Sequence, residues 1–302
     1  MSSVTVRAAA KINLGLGVGG VRDDGFHPLA TVYQAIGLYD DVTVADAESW
    51  SLTLETDPRI DASEVPLDDR NIALRAASSL SGLHGLDKTA SIKISKGIPV
   101  AGGLAGGSAD AAATLIALDR LWDLGTSDEE LLTLAADLGS DVPFALIGGT
   151  AVGSGRGELV TPLEDNGEWW WVLVESDQGL STPGVYAEFD RLNRDPGMQA
   201  NYHPGLEAAL RSGDPWQLAD VLSNDLTPAA CSLRPDLEQV RADGLASGAL
   251  AALLSGSGPT WLFLCADSLQ ATGVRVGLAT RGYHRVTACA APVAGAHVVT
   301  YG

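Results

Sequence analysis

The chain has 302 residues, 46% of them hydrophobic and 19% charged, enough to bury one large core or two moderate ones. A formal net charge of −19 argues against nucleic acid or an anionic membrane as partner, and the histidines lack the HxxH or HxxxH spacing of a transition-metal site. Three widely spaced cysteines (Cys231, Cys265, Cys289), an opening MSSVTVRAAAK without a signal's apolar run, and no apolar stretch of membrane-spanning length predict a cytoplasmic chain.

From the N-terminus, residues 4–9, 41–45, 51–56 and 90–95 read as strands by β-branching or alternation. In AAAKINLGL, Lys11 and Asn13 alternate out of a strand. A GxGxxG match at Gly15, Gly17 and Gly20 runs into VRDDGFHP, which cannot start a helix. With no helix there is no dipole behind a pyrophosphate, and a nicotinamide enzyme is not expected. Helices are predicted at 71–83, at 108–124 with apolar positions 111, 112, 115, 118 and 122 on one side, and at 127–139, where Ser127 and Glu130 make a capping box and Gly139 a stop. Asp141 then lies in a short corner, SDVP. Polar turn formers over 161–168 mark a boundary between domains 1–165 and 166–302. Beyond it, 169–176 and 260–266 read as buried strands, 204–212, 215–223, 235–247 and 267–281 as helices, and 285–291 and 296–300 as further strands. That order predicts an α+β fold.

The most informative stretch is KGIPVAGGLAGGSADAAA, residues 96–113. Gly102, Gly103, Gly106 and Gly107 let backbone approach a bulky anion, and the helix expected to open near Ser108 adds its positive end. No lysine follows, so this is not a Walker loop. Of the four lysines (Lys11, Lys88, Lys93, Lys96), three flank or sit in the strand that feeds the loop.

KINLGL, DGFH, GLAGGSADAA, LGSDVPF and SGSGPT occur in that order along essentially the whole chain. In this the sequence resembles the GHMP kinase superfamily, which includes galactokinase, homoserine kinase and mevalonate kinase. More narrowly it resembles the branch that phosphorylates a cytidine-diphosphate-linked methylerythritol in non-mevalonate isoprenoid synthesis. The resemblance implies a two-domain GHMP kinase fold, ribosomal-S5-like then ferredoxin-like, with ATP and Mg²⁺ in the cleft between. It implies transfer to a tertiary 2-hydroxyl. Asn71, Pro99, Val100, Ala101, Gly102, Gly103, Leu104, Ala105, Gly106, Gly107, Ser108 and Ala109 would hold ATP, with Ser108 touching the metal. Asn13, Phe26, His27, Thr182, Tyr186, Gly256, Ser257 and Gly258 would hold the second substrate, His27 at the cytosine edge and Tyr186 on its face. Asp141 would act as base and Lys11 would steady the reacting hydroxyl, as a loose phosphoryl-transfer transition state needs positioning and charge more than bond making.

Three departures from the usual pattern stand out: Phe26 where tyrosine is common, Ala105 where glycine is, and Ala109 where serine is. Local readings stay open: Asp141 as a helix cap, Lys11 as a strand-edge lysine, Ser108 as a cap, Gly256 and Gly258 as a tight turn. The rival functions are a kinase of a small alcohol such as homoserine or mevalonate, and an inactive nucleotide-binding relative. The DGFH element argues against the first, since a small substrate needs no aromatic and histidine for a base.

Overall fold

A computed structural model describes residues 3–300 apart from 24, 58–59, 64, 101, 177, 195–196 and 198. Its spine is an antiparallel pair of long strands, β1 (Ser3–Val18) and β2 (Leu29–Asp46). β3 (Ser51–Thr56), α1 (Ile72–Leu83), β4 (Ala90–Lys96) and α2 (Gly106–Trp122) follow, with β4 antiparallel to β2 and β3 parallel to β4. α3 (Asp128–Leu138) and α4 (Val142–Ile147) lead to a hairpin of β5 (Thr150–Ser154) and β6 (Leu159–Pro162), which branches off β2.

The second sheet opens with β7 (Trp169–Val174). After α5 (Thr182–Leu192), α6 (Leu206–Ser212), α7 (Pro215–Ala219), the two-residue β8 (Ser223–Asn224), α8 (Thr227–Leu233) and α9 (Asp236–Ala246) come β9 (Ala251–Leu254) and β10 (Trp261–Cys265). α10 (Ser268–Thr280) and β11 (Val286–Ala291) complete an antiparallel sheet ordered β11-β7-β10-β9. β8 and the last strand, β12 (His297–Val299), both pair with β1, so the first sheet also draws on chain beyond residue 165.

Strand alternation sorts the centre of β1. Ala8, Ala10, Ile12 and Leu14 are fully buried against α2, whose alanines at 109, 111, 112, 113 and 117 let it pack close to the sheet. Lys11 and Asn13 face the opposite side. The strand expected over residues 4–9, with Lys11 and Asn13 alternating out of a strand beyond it, runs unbroken to Val18, and Gly15 and Gly17 are strand residues over which another segment lies. A Cβ at Gly17 would stand 2.1 Å from Asn201 O, and one at Gly15 2.8 Å from Tyr202 Cβ.

The polar stretch 161–168 is tied down. Asp165 accepts from Gln34 Nε2 (2.9 Å), Thr150 Oγ1 (2.6 Å) and Trp169 Nε1 (2.8 Å), while Trp171 Nε1 donates to Gln34 Oε1 (3.0 Å). One apolar cluster runs beneath both sheets, joining Ile12 and Ile36 of the first to Trp169, Trp171 and Leu262 of the second. Among the described residues no helix is long and apolar enough to cross a membrane.

Candidate active site

α2 starts at Gly106 and not at Ser108. The cap position is Ala105, which has no side chain to accept a hydrogen bond, and the first intrahelical bond runs from Ala109 N to Ala105 O (3.0 Å). The amides of residues 106–108 precede that bond and point out of the helix mouth, where an anion can take them. Gly103 has φ +76°, and a Cβ on it would sit 2.4 Å from Ser255 O. Ser255 Oγ donates to Gly103 O (2.9 Å), so the second glycine bend is clasped onto the first.

The loop separates two cavities, and Gly103 and Ala105 line both. The smaller, ≈ 390 Å³, takes in Asn71, Pro99, Val100, Gly102, Leu104, Gly106 and Gly107, together with Pro66, Arg70, Ile72, Lys96 and Asp110. Asn71 caps α1 through its Oδ1, accepting from Ala73 N (2.8 Å), and donates to Pro66 O (2.7 Å). Of the expected nucleotide contacts, Ser108 lies in the first turn of α2 and Ala109 is buried in the core, and neither is among the residues lining this cavity; the cap reading of Ser108 is corrected, since the cap is Ala105. Ala101 lies outside the described residues.

Sequence reasoning missed the charge cluster beneath this loop, although an acid inside SADAAA was a signal. Lys96 Nζ bridges Asp40 and Asp110 (2.8 Å to Asp110 Oδ2), and Asp40 Oδ1 also accepts from Gly97 N (2.8 Å) and Ile98 N (2.9 Å). Burial, then the charge of Asp40, holds the Asp110 carboxyl well above the usual carboxylate range. Burial pulls the Lys96 ammonium down, but Asp110 and Asp40 together more than offset this and leave it above an ordinary lysine.

The larger cavity, ≈ 740 Å³, lies between the sheets and gathers Lys11, Asn13, Phe26, His27, Asp141, Thr182, Tyr186, Gly256 and Ser257 from separate segments of the chain. Gly258 does not line it; with φ +80° it shapes the bend behind Gly103. Asp141 takes the cap position of α4 but makes no capping bond, and its Oδ2 stands 3.7 Å from Lys11 Nζ. Lys11 Nζ donates to Asn13 Oδ1 (2.8 Å), and Lys11 N to Leu104 O in the glycine loop (3.1 Å). Tyr33 is buried beside this pair. Its phenol is pushed well up by burial first, then by the charge of Asp141 and a hydrogen bond to it.

At the far end, His27 Nδ1 donates to Gly19 O (2.8 Å), its Nε2 lies 3.5 Å from Asp190 Oδ2, and its ring meets Tyr186 at 5.1 Å. Burial raises the Tyr186 phenol to about 12. Arg156, from the turn of the β5–β6 hairpin, stacks its guanidinium 5.1 Å from the Phe26 ring centre. Thr182 and Ser257 share a hydrogen bond (2.8 Å) that links the start of α5 to the second bend. Tyr33, Arg156 and Asp190 went unnoticed in the sequence because each lies alone in an unremarkable context, and only the fold brings them together.

A loop of open amides between a nucleotide-sized cleft and a second cavity, with a carboxylate and an ammonium in the second, is the equipment of phosphoryl transfer to an alcohol. Residues 71–149 match the GHMP kinases N terminal domain and residues 206–284 the GHMP kinases C terminal domain; the chain belongs to the GHMP kinase family, enzymes that use ATP. Within it, the chain is 56% identical to 4-diphosphocytidyl-2-C-methyl-D-erythritol kinase of Nocardioides sp. over 98% of this chain and 100% of that one. It is 51% identical to the enzyme of the same name from Streptomyces avermitilis, with the same coverage. A crystal structure of 4-(cytidine 5'-diphospho)-2C-methyl-D-erythritol kinase superposes with TM-score 0.75 at 32% identity, covering 95% of this chain and 98% of that one. Homoserine kinase from Cytophaga hutchinsonii superposes equally well, with TM-score 0.75 at 18% identity, covering 99% and 98%, a likeness of fold alone.

Proposed function

We propose that the protein transfers the γ-phosphate of ATP to the 2-hydroxyl of 4-diphosphocytidyl-2-C-methyl-D-erythritol in the cytoplasm, as a step of non-mevalonate isoprenoid synthesis. The observation that carries this reading is the pair Lys11 and Asp141, 3.7 Å apart in the larger cavity, with Lys11 N bonded to Leu104 O of the loop that separates the two cavities.

In this reading the amides of residues 106–108 hold the phosphate tail in the dipole of α2. Asp141, uncommitted to capping, accepts or orients the hydroxyl proton, and Lys11 offsets the charge that develops as the oxygen attacks. A Mg²⁺ arriving with ATP would keep phosphate and water ligands and take few from the protein. Ser108 is the hydroxyl we assign to it; when bound, the ion neutralises the β- and γ-phosphates.

The larger cavity favours a nucleoside-linked substrate over a small alcohol. His27, held by its Nδ1 hydrogen bond to Gly19 O, and the Asp190 carboxylate beside its Nε2 put polar atoms at that end of the cavity. They suit the polar edge of cytosine, with Tyr186 and Phe26 available to stack on the ring. Asp141→Asn tests the catalytic assignment. The variant should bind ATP as tightly as wild type by calorimetry yet lose about 10²–10⁴ in kcat; a normal kcat in it would remove Asp141 from the chemistry.

A further inference from the structure

We propose that Thr31, together with Asn13, is a positioning residue that fixes where the Lys11 ammonium points; this rests on the role assigned to Lys11 above. Three hydrogen bonds run in a single direction. Thr31 Oγ1 donates to Gly15 O at 2.8 Å, and because a carbonyl only accepts, the hydroxyl's lone pairs are turned the other way. They receive Asn13 Nδ2–H at 2.8 Å. That sets the amide: its Oδ1 must face Lys11 Nζ, which donates to it at 2.8 Å.

Relative exposures of 0% for Thr31, 3% for Asn13 and 7% for Lys11 leave little water to substitute for any of these partners. The direction matters because the two ends of an amide are nearly alike in shape. Flipped, Asn13 would set its N–H₂ against an ammonium, donor against donor. The Thr31 hydroxyl is the group that tells the two orientations apart. A one-residue shift in the β1–β2 register between Asn13 and Gly15 places Thr31, opposite Leu16 in the ladder, within reach of Asn13.

The relay changes the part expected of Asn13. Its carbonyl and one of its N–H groups are committed to Lys11 and Thr31, so its main work is to hold the lysine. A lysine on its four-carbon stem is mobile unless tethered. Here one donor is fixed on Asn13, the Asp141 carboxylate stands on another side, and the Tyr33 ring lies 5.5 Å away. Gly256 bounds what remains: a Cβ there would lie 3.6 Å from Asn13 Oδ1 and 3.7 Å from Lys11 Nζ, so its lack of a side chain keeps that space open to a ligand.

The test is steady-state ADP release from ATP and 4-diphosphocytidyl-2-C-methyl-D-erythritol. Thr31→Val removes the hydroxyl at nearly constant volume and should lower kcat about tenfold, with KM for both substrates within about twofold. Thr31→Ser keeps the hydroxyl and should stay near wild type. On an Asn13→Ala background, where the relay is already cut, Thr31→Val should add nothing. A threonine that only packs the strand would lower the melting temperature while kcat per folded molecule stayed normal, and a kcat loss that multiplied with that of Asn13→Ala would put Thr31 outside the relay; either result overturns the proposal. Thr31→Ala serves in the same comparison if the valine variant does not fold. Lys11→Met separates the two claims. If it turns over normally, the assigned role of Lys11 falls; if it is inert while Thr31→Val is fully active, only the positioning role falls.

Discussion

Ala105 enters α2 with φ 57° and ψ 35°, a left-handed conformation that a residue with a Cβ adopts at a cost of about 1–2 kcal/mol. The methyl also stiffens the unfolded chain, which offsets roughly 0.4–1 kcal/mol of that. The balance predicts that Ala105→Gly stabilises the fold by about 0–1.6 kcal/mol, read as a rise in thermal midpoint, with ATP affinity kept because no amide is lost. A lower midpoint would mean that the methyl packs favourably enough to outweigh the strain. Legibility at this scale followed chemistry that repeats along the chain. Lys11, Asp141 and the loop glycines could be found because their neighbours form recognisable strings. Thr31 and Asp190 could not, since a lone threonine in a strand and a lone aspartate in a helix carry no signal until the fold supplies their partners.

Two ties between elements can be tested directly. Lys96, at the end of β4, is the counter-charge for Asp40 on β2 and Asp110 on α2, all buried. Lys96→Met leaves two carboxylates in the interior without it and should cost about 3–5 kcal/mol in urea unfolding. An unchanged midpoint would mean that the cluster relaxes to water. On the second sheet's side, Glu188 of α5 accepts from Arg191 Nε (2.6 Å) and Ser232 Oγ (2.5 Å) of α8, and these bonds, Arg191 first, lower its carboxyl to about 2. Because the folded value is depressed, the stabilisation is fully present above the ordinary value of 4.5 and is lost as pH falls toward about 2. Glu188→Gln should therefore flatten the acid limb of stability across that window and leave neutral pH less affected; an unaltered acid limb would contradict the linkage. These helices were themselves hard to foresee. α5 carries a Pro–Gly pair, Pro183 and Gly184, in its first turn, which spells a turn locally, and α8 is only seven residues long, too few for periodicity to emerge. The extent of β1 and β2 was hidden for the opposite reason: glycines and alanines that spell turn or helix locally are used there for close packing.

At the scale of the whole molecule, the α+β order was visible in the alternation of strand and helix patterns, while the closeness of the halves was not. The stretch that looked like a linker is pinned at Asp165 and Gln34, and the apolar core continues beneath both sheets. This fixes the second glycine bend against the first and gives the large cavity a wall from each half. In the proposed reading the consequence is selectivity by length: a substrate held at both ends would span from His27 and Tyr186 to Lys11 and Asp141. The most direct measurement is coupled ADP release with 4-diphosphocytidyl-2-C-methyl-D-erythritol, mevalonate and homoserine offered separately. The architecture predicts turnover with the first alone, and comparable turnover of either small alcohol would contradict it.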